Sequence, residues 1–154
     1  MPRPLLLDSN VLSKVVRPSL EEHKPATTMI QRLFEDRRFE VFVPEIVDYE
    51  VRRKLLHIGS RPHQGRKWAR EALIYLDQMI AVGYMPLTTD DMRMAASLWA
   101  QTRSEGQSRG PEESLDIDII LAAQARLAGA QIITLNERHF RGVADLFDWR
   151  SFQP

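Results

Sequence analysis

The chain has 154 residues with 44% hydrophobic content, the size and composition of one compact domain with its own core. Its 21 basic and 21 acidic residues cancel, so no global field marks a nucleic-acid partner, and the lack of cysteine excludes disulfides and thiol catalysis. No stretch is long enough to span a bilayer and the start lacks the apolar run of a signal peptide, so a soluble cytoplasmic protein is expected. Seventeen basic residues are arginine and 4 are lysine. Arginine suits bidentate phosphate contacts and stacking on bases, although it also pairs with carboxylates on ordinary surfaces.

In chain order, Leu5-Leu6-Leu7 reads as a short, fully buried strand of the kind found in parallel sheets. It ends on Asp8. An acid at the end of a buried strand is costly unless paired, and that position faces the crevice where open α/β sheets bind ligands. Asp8 is therefore a candidate metal ligand; its other reading is the N-cap of the short helix 11–16, which Pro18 stops. Pro25 opens a helix carrying Met29, Ile30, Leu33 and Phe34, and the stretch 39–43 alternates as a second strand. Pro44 starts a helix to about Ile58 with the stripe Val47, Val51, Leu55 and Ile58, and Gly59 fits its C′ position. Glu50 and Asp48 flank that stripe on opposite sides. Glu50 is a site candidate or a surface partner of Lys54 at i,i+4.

After the loop 60–64 comes a long amphipathic helix, about 65–81, with Trp68, Ala72, Leu76 and Met79 inward. A strand near 84–87 follows, then a helix capped by Thr89 or Asp90 and carrying Met92, Ala95, Ala96 and Trp99. The stretch 104–113 reads as an exposed, mobile loop. The helix 115–128 opens on Asp116 and Asp118 and stops at Gly129. The segment 131–135 is a buried strand ending at Asn136, and a last short strand is expected within 145–152. Strand and helix alternate without repeat or break, which gives a single domain over 1–154: an α/β, three-layer α/β/α sandwich with a largely parallel central sheet.

Strand ends in a parallel sheet share one rim, which collects Asp8 and Asn136, with Glu50, Asp116 and Asp118 on nearby helix starts. Acids that converge there repel one another unless a cation joins them. An all-oxygen donor set selects Mg²⁺ or Mn²⁺ over Zn²⁺, and such ions commonly act on phosphates. Each residue also has a structural reading: Asp116 as an N-cap, Asp118 as a favourable first-turn charge, Asn136 as a turn residue. The four histidines, His23, His57, His63 and His139, have no partner at ligand spacing and are expected at the surface.

Four stretches, in order, resemble the PIN-domain ribonucleases of the VapC toxin type. They are Leu7-Asp8-Ser9-Asn10-Val11-Leu12-Ser13 with Arg17-Pro18; Val43-Pro44 followed by Glu50; Asp118-Ile119-Ile120-Leu121-Ala122-Ala123-Gln124-Ala125; and Ile133-Thr134-Leu135-Asn136-Glu137-Arg138-His139-Phe140. The resemblance implies the PIN fold, Mg²⁺- or Mn²⁺-dependent hydrolysis of RNA phosphodiesters, a homodimer and a small antitoxin partner. It implies that Asp8, Glu50 and Asp118 bind metal, with Asp116 as an extra acid and Asn136, or Glu137 in its place, completing the site. It decides for Glu50 over Asp48 and gives Ser9 a part in orienting a ligand or water. Arg52, Arg53, Arg61, Arg66, Lys67 and Arg70 are candidates to steer RNA phosphates. A phosphatase with an aspartyl nucleophile would usually carry a second acid two residues after Asp8, where Asn10 stands. A PIN-like module that binds RNA or protein without catalysis is the alternative.

Overall fold

A computed structural model of the chain describes residues 1–61, 66–106 and 112–152. The apolar runs become four parallel strands: β1 (Arg3–Leu7), β2 (Phe39–Pro44), β3 (Tyr84–Met85) and β4 (Gln131–Ile133). Their order across the sheet is β3-β2-β1-β4. The connections carry α1 (Ser9–Val15) and α2 (Lys24–Glu35), then α3 (Glu45–Gly59) and α4 (Arg66–Val82), then α5 (Thr89–Ser104) and α6 (Glu112–Ala128). Right-handed crossovers put the first two connections on one face of the sheet. The third runs back across the sheet and covers the other face, which gives the α/β/α layering.

The core follows from the patterns that the sequence shows. Leu5, Leu6 and Leu7 are fully buried at the centre of the sheet, with β1 paired on both sides (Leu5 to Val41 and Gln131; Leu7 to Ile133). Val47, Val51 and Leu55 of α3, Ala72 and Leu76 of α4, and Leu121 to Ala123 of α6 close over it. Gly83 makes the tight entry from α4 into β3, because a β-carbon there would stand 2.5 Å from the Val41 carbonyl oxygen. Gly129 ends α6 in the left-handed region, φ +61°, as its position in the sequence requires.

Several local expectations shift. The helix α3 continues through Gly59, and Ser60 caps it in the right-handed region. The cap of α5 is Thr88, whose hydroxyl accepts from the Asp91 N–H while the Asp91 carboxylate accepts from the Thr88 N–H. This reciprocal box satisfies two end donors, which a cap at Thr89 or Asp90 would not. The buried stripe of α5 is Asp91, Ala95, Leu98 and Thr102, so Met92 and Trp99 face outward. In place of a last strand there is one parallel bridge, Ile132 to Leu146, beside β4. The expected loop 104–113 is shortened, since α5 reaches Ser104 and α6 starts at Glu112; residues 107–111 lie outside the described residues, as does most of the loop 60–64 with His63.

Candidate functional site

The connections leave β1 toward β2, whereas β4 is reached from the other direction. The sheet therefore has its topological switch point between β1 and β4, and a crevice opens beyond their carboxyl ends. Asp8 stands there, 3% exposed. Its backbone N–H donates to the Ile133 carbonyl at 3.0 Å, which continues the β1–β4 pairing to the rim. Asp8 is the N-cap of α1, with Oδ1 accepting from the Ser9 N–H at 2.7 Å, and its Oδ2 accepts from the Thr134 hydroxyl at 2.6 Å. The Ser9 hydroxyl is more distant, 3.5 Å from Oδ1.

The Thr134 hydroxyl oxygen also accepts from the Asn136 N–H at 2.9 Å and from Asn10 Nδ2 at 3.3 Å, and Asn10 Oδ1 accepts from the Leu135 N–H at 3.2 Å. The turn after β4 is thus tied to the turn after β1. His139 extends the ties. Its Nδ1 lies 2.7 Å from Asp118 Oδ2, and its Nε2 lies 2.8 Å from Asn136 Nδ2. His139 is accordingly no plain surface residue. His23 is not one either: it is buried, with Nδ1 2.9 Å from the Arg17 carbonyl.

Three acids share this field. Burial pushes the Asp8 carboxyl above its ordinary range, partly offset by the bonds from Thr134 and Ser9, and the charge of Glu50 pushes it the same way as burial. Asp118 is raised to about 6, first by burial and then by the charge on Asp8; His139 opposes this and Glu50 adds to it. Glu50 rather than Asp48 belongs to the group. Asp48 is turned to Arg52 at 2.9 Å, and Arg52 also reaches Asp77 at 2.8 Å. Asp116 leaves α6 about 200° around the helix from Asp118. It is exposed and lines a groove with Met92, Trp99 and Ile120, away from the crevice. Glu137 is paired with Arg150 at 2.7 Å.

The donor chemistry suits a hard divalent cation: carboxylates that repel one another in a buried crevice, each with oxygen donors only. The three are not gathered around one point, however. Glu50 is held by Lys54 at 2.8 Å and Asp118 by His139, and among the described residues no three acid or histidine side chains enclose a cation as they stand. Asp8, Glu50 and Asp118 carry the oxygen donors that such an ion takes, and to hold one together Glu50 would have to exchange Lys54 for it.

Thr134 and His139 are the residues that sequence reasoning missed. The signal for His139 was its spacing from Asn136. In a 3₁₀ turn, which the chain forms at Glu137–His139, residues three apart lie one above the other.

The parallel sheet with a switch point between β1 and β4 and helices on both faces defines an α/β/α domain. The chain belongs to the PIN-domain family: residues 5–146 match the PIN domain. No curated protein sequence matches it. Solved structures share its fold at low identity. FitAcB from Neisseria gonorrhoeae is 21% identical, with a TM-score of 0.69 over 96% of this chain and 99% of that one. DNA-bound VapBC from Salmonella typhimurium is 15% identical, TM-score 0.67, over 97% and 99%. VapBC-5 from Mycobacterium tuberculosis, a member of the VapBC family of toxin–antitoxin systems, is 19% identical, TM-score 0.59, over 95% and 97%.

Proposed function

We propose that this PIN domain is a Mg²⁺- or Mn²⁺-dependent endoribonuclease and the toxin of a toxin–antitoxin pair. The observation that carries the reading is Asp8, buried at the end of β1 and tied to the end of β4 at the switch point, with Glu50 and Asp118 as the acids whose charges bear on the same place. These three would hold the ion, and Asn136 lines the same rim. A bound divalent ion supplies Lewis-acid polarisation of a phosphodiester and a water of lowered pKa. The chain's own part is to favour the ionised form of Asp8 through Thr134 and Ser9, against its burial, and to hold Asp118 at the mouth of the crevice. Asp116, on the other side of α6, is assigned no ligand role.

Substrate steering falls to the cations nearest the α3 and α4 ends. Arg52 is committed to Asp48 and Asp77, and Arg53 stacks over Tyr49. Exposed Lys67 and Arg70 of α4 are the better candidates for phosphate contacts. A single-stranded loop of RNA fits a narrow crevice best.

For an antitoxin, the support is an apolar groove between α2 and α4, lined by Val15, Ile30, Phe34, Tyr75, Met79 and Val82. Phe34, Tyr75 and Val82 are exposed there, and an amphipathic segment would cover them. The walls of this groove are α2 and α4. The strip of Met92 and Trp99 on α5 is the surface offered to a second copy in a homodimer. Among the described residues no helix is long and apolar enough to cross a membrane, and the proposed setting is the cytoplasm.

The test is RNA cleavage by purified protein with Mg²⁺ or Mn²⁺ and its arrest by EDTA; cleavage that persists in EDTA overturns the reading. A catalytically silent binding module is the competing reading, and the Lys54–Glu50 pair is the observation in its favour. That module would retain RNA without cutting it, whatever the metal.

A further inference from the structure

We propose that His139 is a positioning residue, whose ring fixes the Asp118 carboxylate against the end of β4 so that one oxygen remains for the cation. The proposal rests on the metal-site reading above and assigns a role within it.

Asp118 stands in the first half of α6, whereas Asp8 ends β1, and α6 alone does not determine where the Asp118 carboxylate comes to rest. Like charges on Asp8 and Glu50 repel it, and a long-range repulsion of that kind favours rotamers that swing it into water. The His139 ring supplies the restraint. Its Nδ1 is 2.7 Å from Asp118 Oδ2, and the ring is the more exposed of the two side chains, 31% against 13%.

The other ring nitrogen defines the proton. The nitrogen that faces Nε2 is Asn136 Nδ2, at 2.8 Å. An amide nitrogen only donates, so Nε2 accepts and the neutral ring carries its proton on Nδ1, pointed at Asp118. Asn136 is held in turn through its backbone N–H by Thr134, whose hydroxyl donates to Asp8. The two buried acids are therefore joined by one run of polar contacts, Asp8–Thr134–Asn136–His139–Asp118, which passes entirely through the turn after β4. Partners that orient a ligating side chain in this way typically matter about 10- to 100-fold in metal affinity.

The geometry yields two substitutions that separate the two ring contacts. Nδ1 is bonded to Cγ, as is the amide nitrogen of asparagine, so His139→Asn keeps a donor for Asp118 and loses the reach to Asn136. His139→Gln places its amide about one bond farther out, near Nε2, and gives up the donor at Asp118. Titration calorimetry with Mn²⁺ alone as the probe is expected to give His139→Asn an affinity close to wild type. For His139→Gln a loss of about tenfold or more is expected, with both variants melting near the wild-type temperature. Equal affinity in the two variants, whether both are weakened or neither is, overturns the role.

A second measurement needs no metal. Ring ¹⁵N spectra of the metal-free protein at pH 8 should show the Nδ1–H form of His139, with a proton resonance that shifts away in Asp118→Ala. An Nε2–H form, or a resonance indifferent to Asp118, overturns the tie. If wild-type protein binds no Mn²⁺, the metal-site reading fails and with it the assigned role, while the ring spectra still decide whether His139 holds Asp118.

Discussion

Thr134 donates its hydroxyl proton to Asp8 Oδ2 at 2.6 Å, although the two residues lie 126 positions apart in the chain. The bond joins the ends of two neighbouring strands at the one place where the sheet's connections diverge, and with the Ser9 N–H it satisfies a carboxylate that is 3% exposed. Thr134→Val keeps the shape of the side chain and deletes the hydroxyl. It leaves Asp8 Oδ2, the Asn136 N–H and Asn10 Nδ2 each short of a partner. The expected loss is about 1–3 kcal/mol in a denaturant titration, the usual cost of unsatisfied buried polar groups. Thr134→Ser should recover most of it. A Thr134→Val protein as stable as wild type would show that the hydroxyl contributes nothing.

The pH dependence of the metal-free protein has a definite sign. Asp118 is raised from about 3.8 in the unfolded chain to about 6 in the fold, and Asp8 is raised as well. A raised acid binds its proton more tightly when folded. Its contribution to stability is therefore fully present below about pH 4 and is lost as pH rises through about 6. In EDTA, thermal melting of wild type should fall across that window relative to Asp118→Asn, which has no proton to lose there. Saturating Mn²⁺ should remove the difference in slope by favouring the ionised carboxylates. Parallel melting curves for the two proteins in EDTA would contradict the shift.

The fold was legible because its signals are local and strong. Leu5 to Leu7 can only be a strand buried on both faces, and the spacing of Val47, Val51 and Leu55 can only be one helix face. The rim acids were legible for a related reason: a charge directly after a buried strand is expensive, so Asp8 stood out by position. What escaped was decided by contacts between distant segments. Thr134 looks like one more β-branched residue in a strand, and only the pairing of β1 with β4 brings it to Asp8. His139 shows no ligand spacing along the chain, since its partner Asp118 lies 21 residues earlier on another element. Asp116 and Asp118 both open α6, yet two residues along a helix point to opposite sides, a separation that their shared helix start does not display. On α5, Met92 and Trp99 are as apolar as core residues yet exposed, because hydrophobicity alone does not say which apolar stripe is buried.

The close approach at Gly83 makes a clean test of the sheet edge. A β-carbon would meet the Val41 carbonyl oxygen, a backbone atom that cannot move aside without disturbing β2, and the Gly83 carbonyl accepts from the Val43 N–H at 3.0 Å. Gly83→Ala should therefore cost about 1–3 kcal/mol, as overpacking does, despite the entropy that alanine saves in the unfolded chain. Urea titration checks this, and an unchanged midpoint would mean that the α4–β3 junction relaxes freely.

Lys54 competes with the proposed cation for Glu50. The pair is 2.8 Å long, at i,i+4 on α3, and the lysine is mostly exposed. Such pairs contribute only about 0.3–0.5 kcal/mol, so Lys54→Met should leave thermal stability in EDTA nearly unchanged. Mn²⁺ affinity should rise by about twofold, the same free energy returned to the metal. Calorimetry that finds weaker Mn²⁺ binding in Lys54→Met would mean that the lysine helps to hold Glu50 in place.

Asp8→Asn separates catalyst from scaffold. Asparagine caps a helix as well as aspartate does. Its amide oxygen can still accept from the Ser9 N–H, which keeps the cap and with it the fold, while the bond from the Thr134 hydroxyl is lost, because that oxygen already accepts from Asn136 and Asn10. The charge is gone. If Asp8 is the central ligand of the ion, RNA cleavage with Mn²⁺ should fall by orders of magnitude, and Mn²⁺ should no longer stabilise the protein against heat. In EDTA the variant should melt higher than wild type above pH 6. There, wild type carries the repulsion between Asp8 and Asp118 that the substitution removes, and Asp118 itself should titrate closer to its ordinary range. Melting in EDTA at pH 5 should narrow the gap, because protonation relieves wild type of the same repulsion. Full cleavage activity in Asp8→Asn would end the metal-ligand assignment, and a lower melting temperature at pH 7.5 would show that Asp8 is worth more to the fold as an acceptor than it costs as a charge.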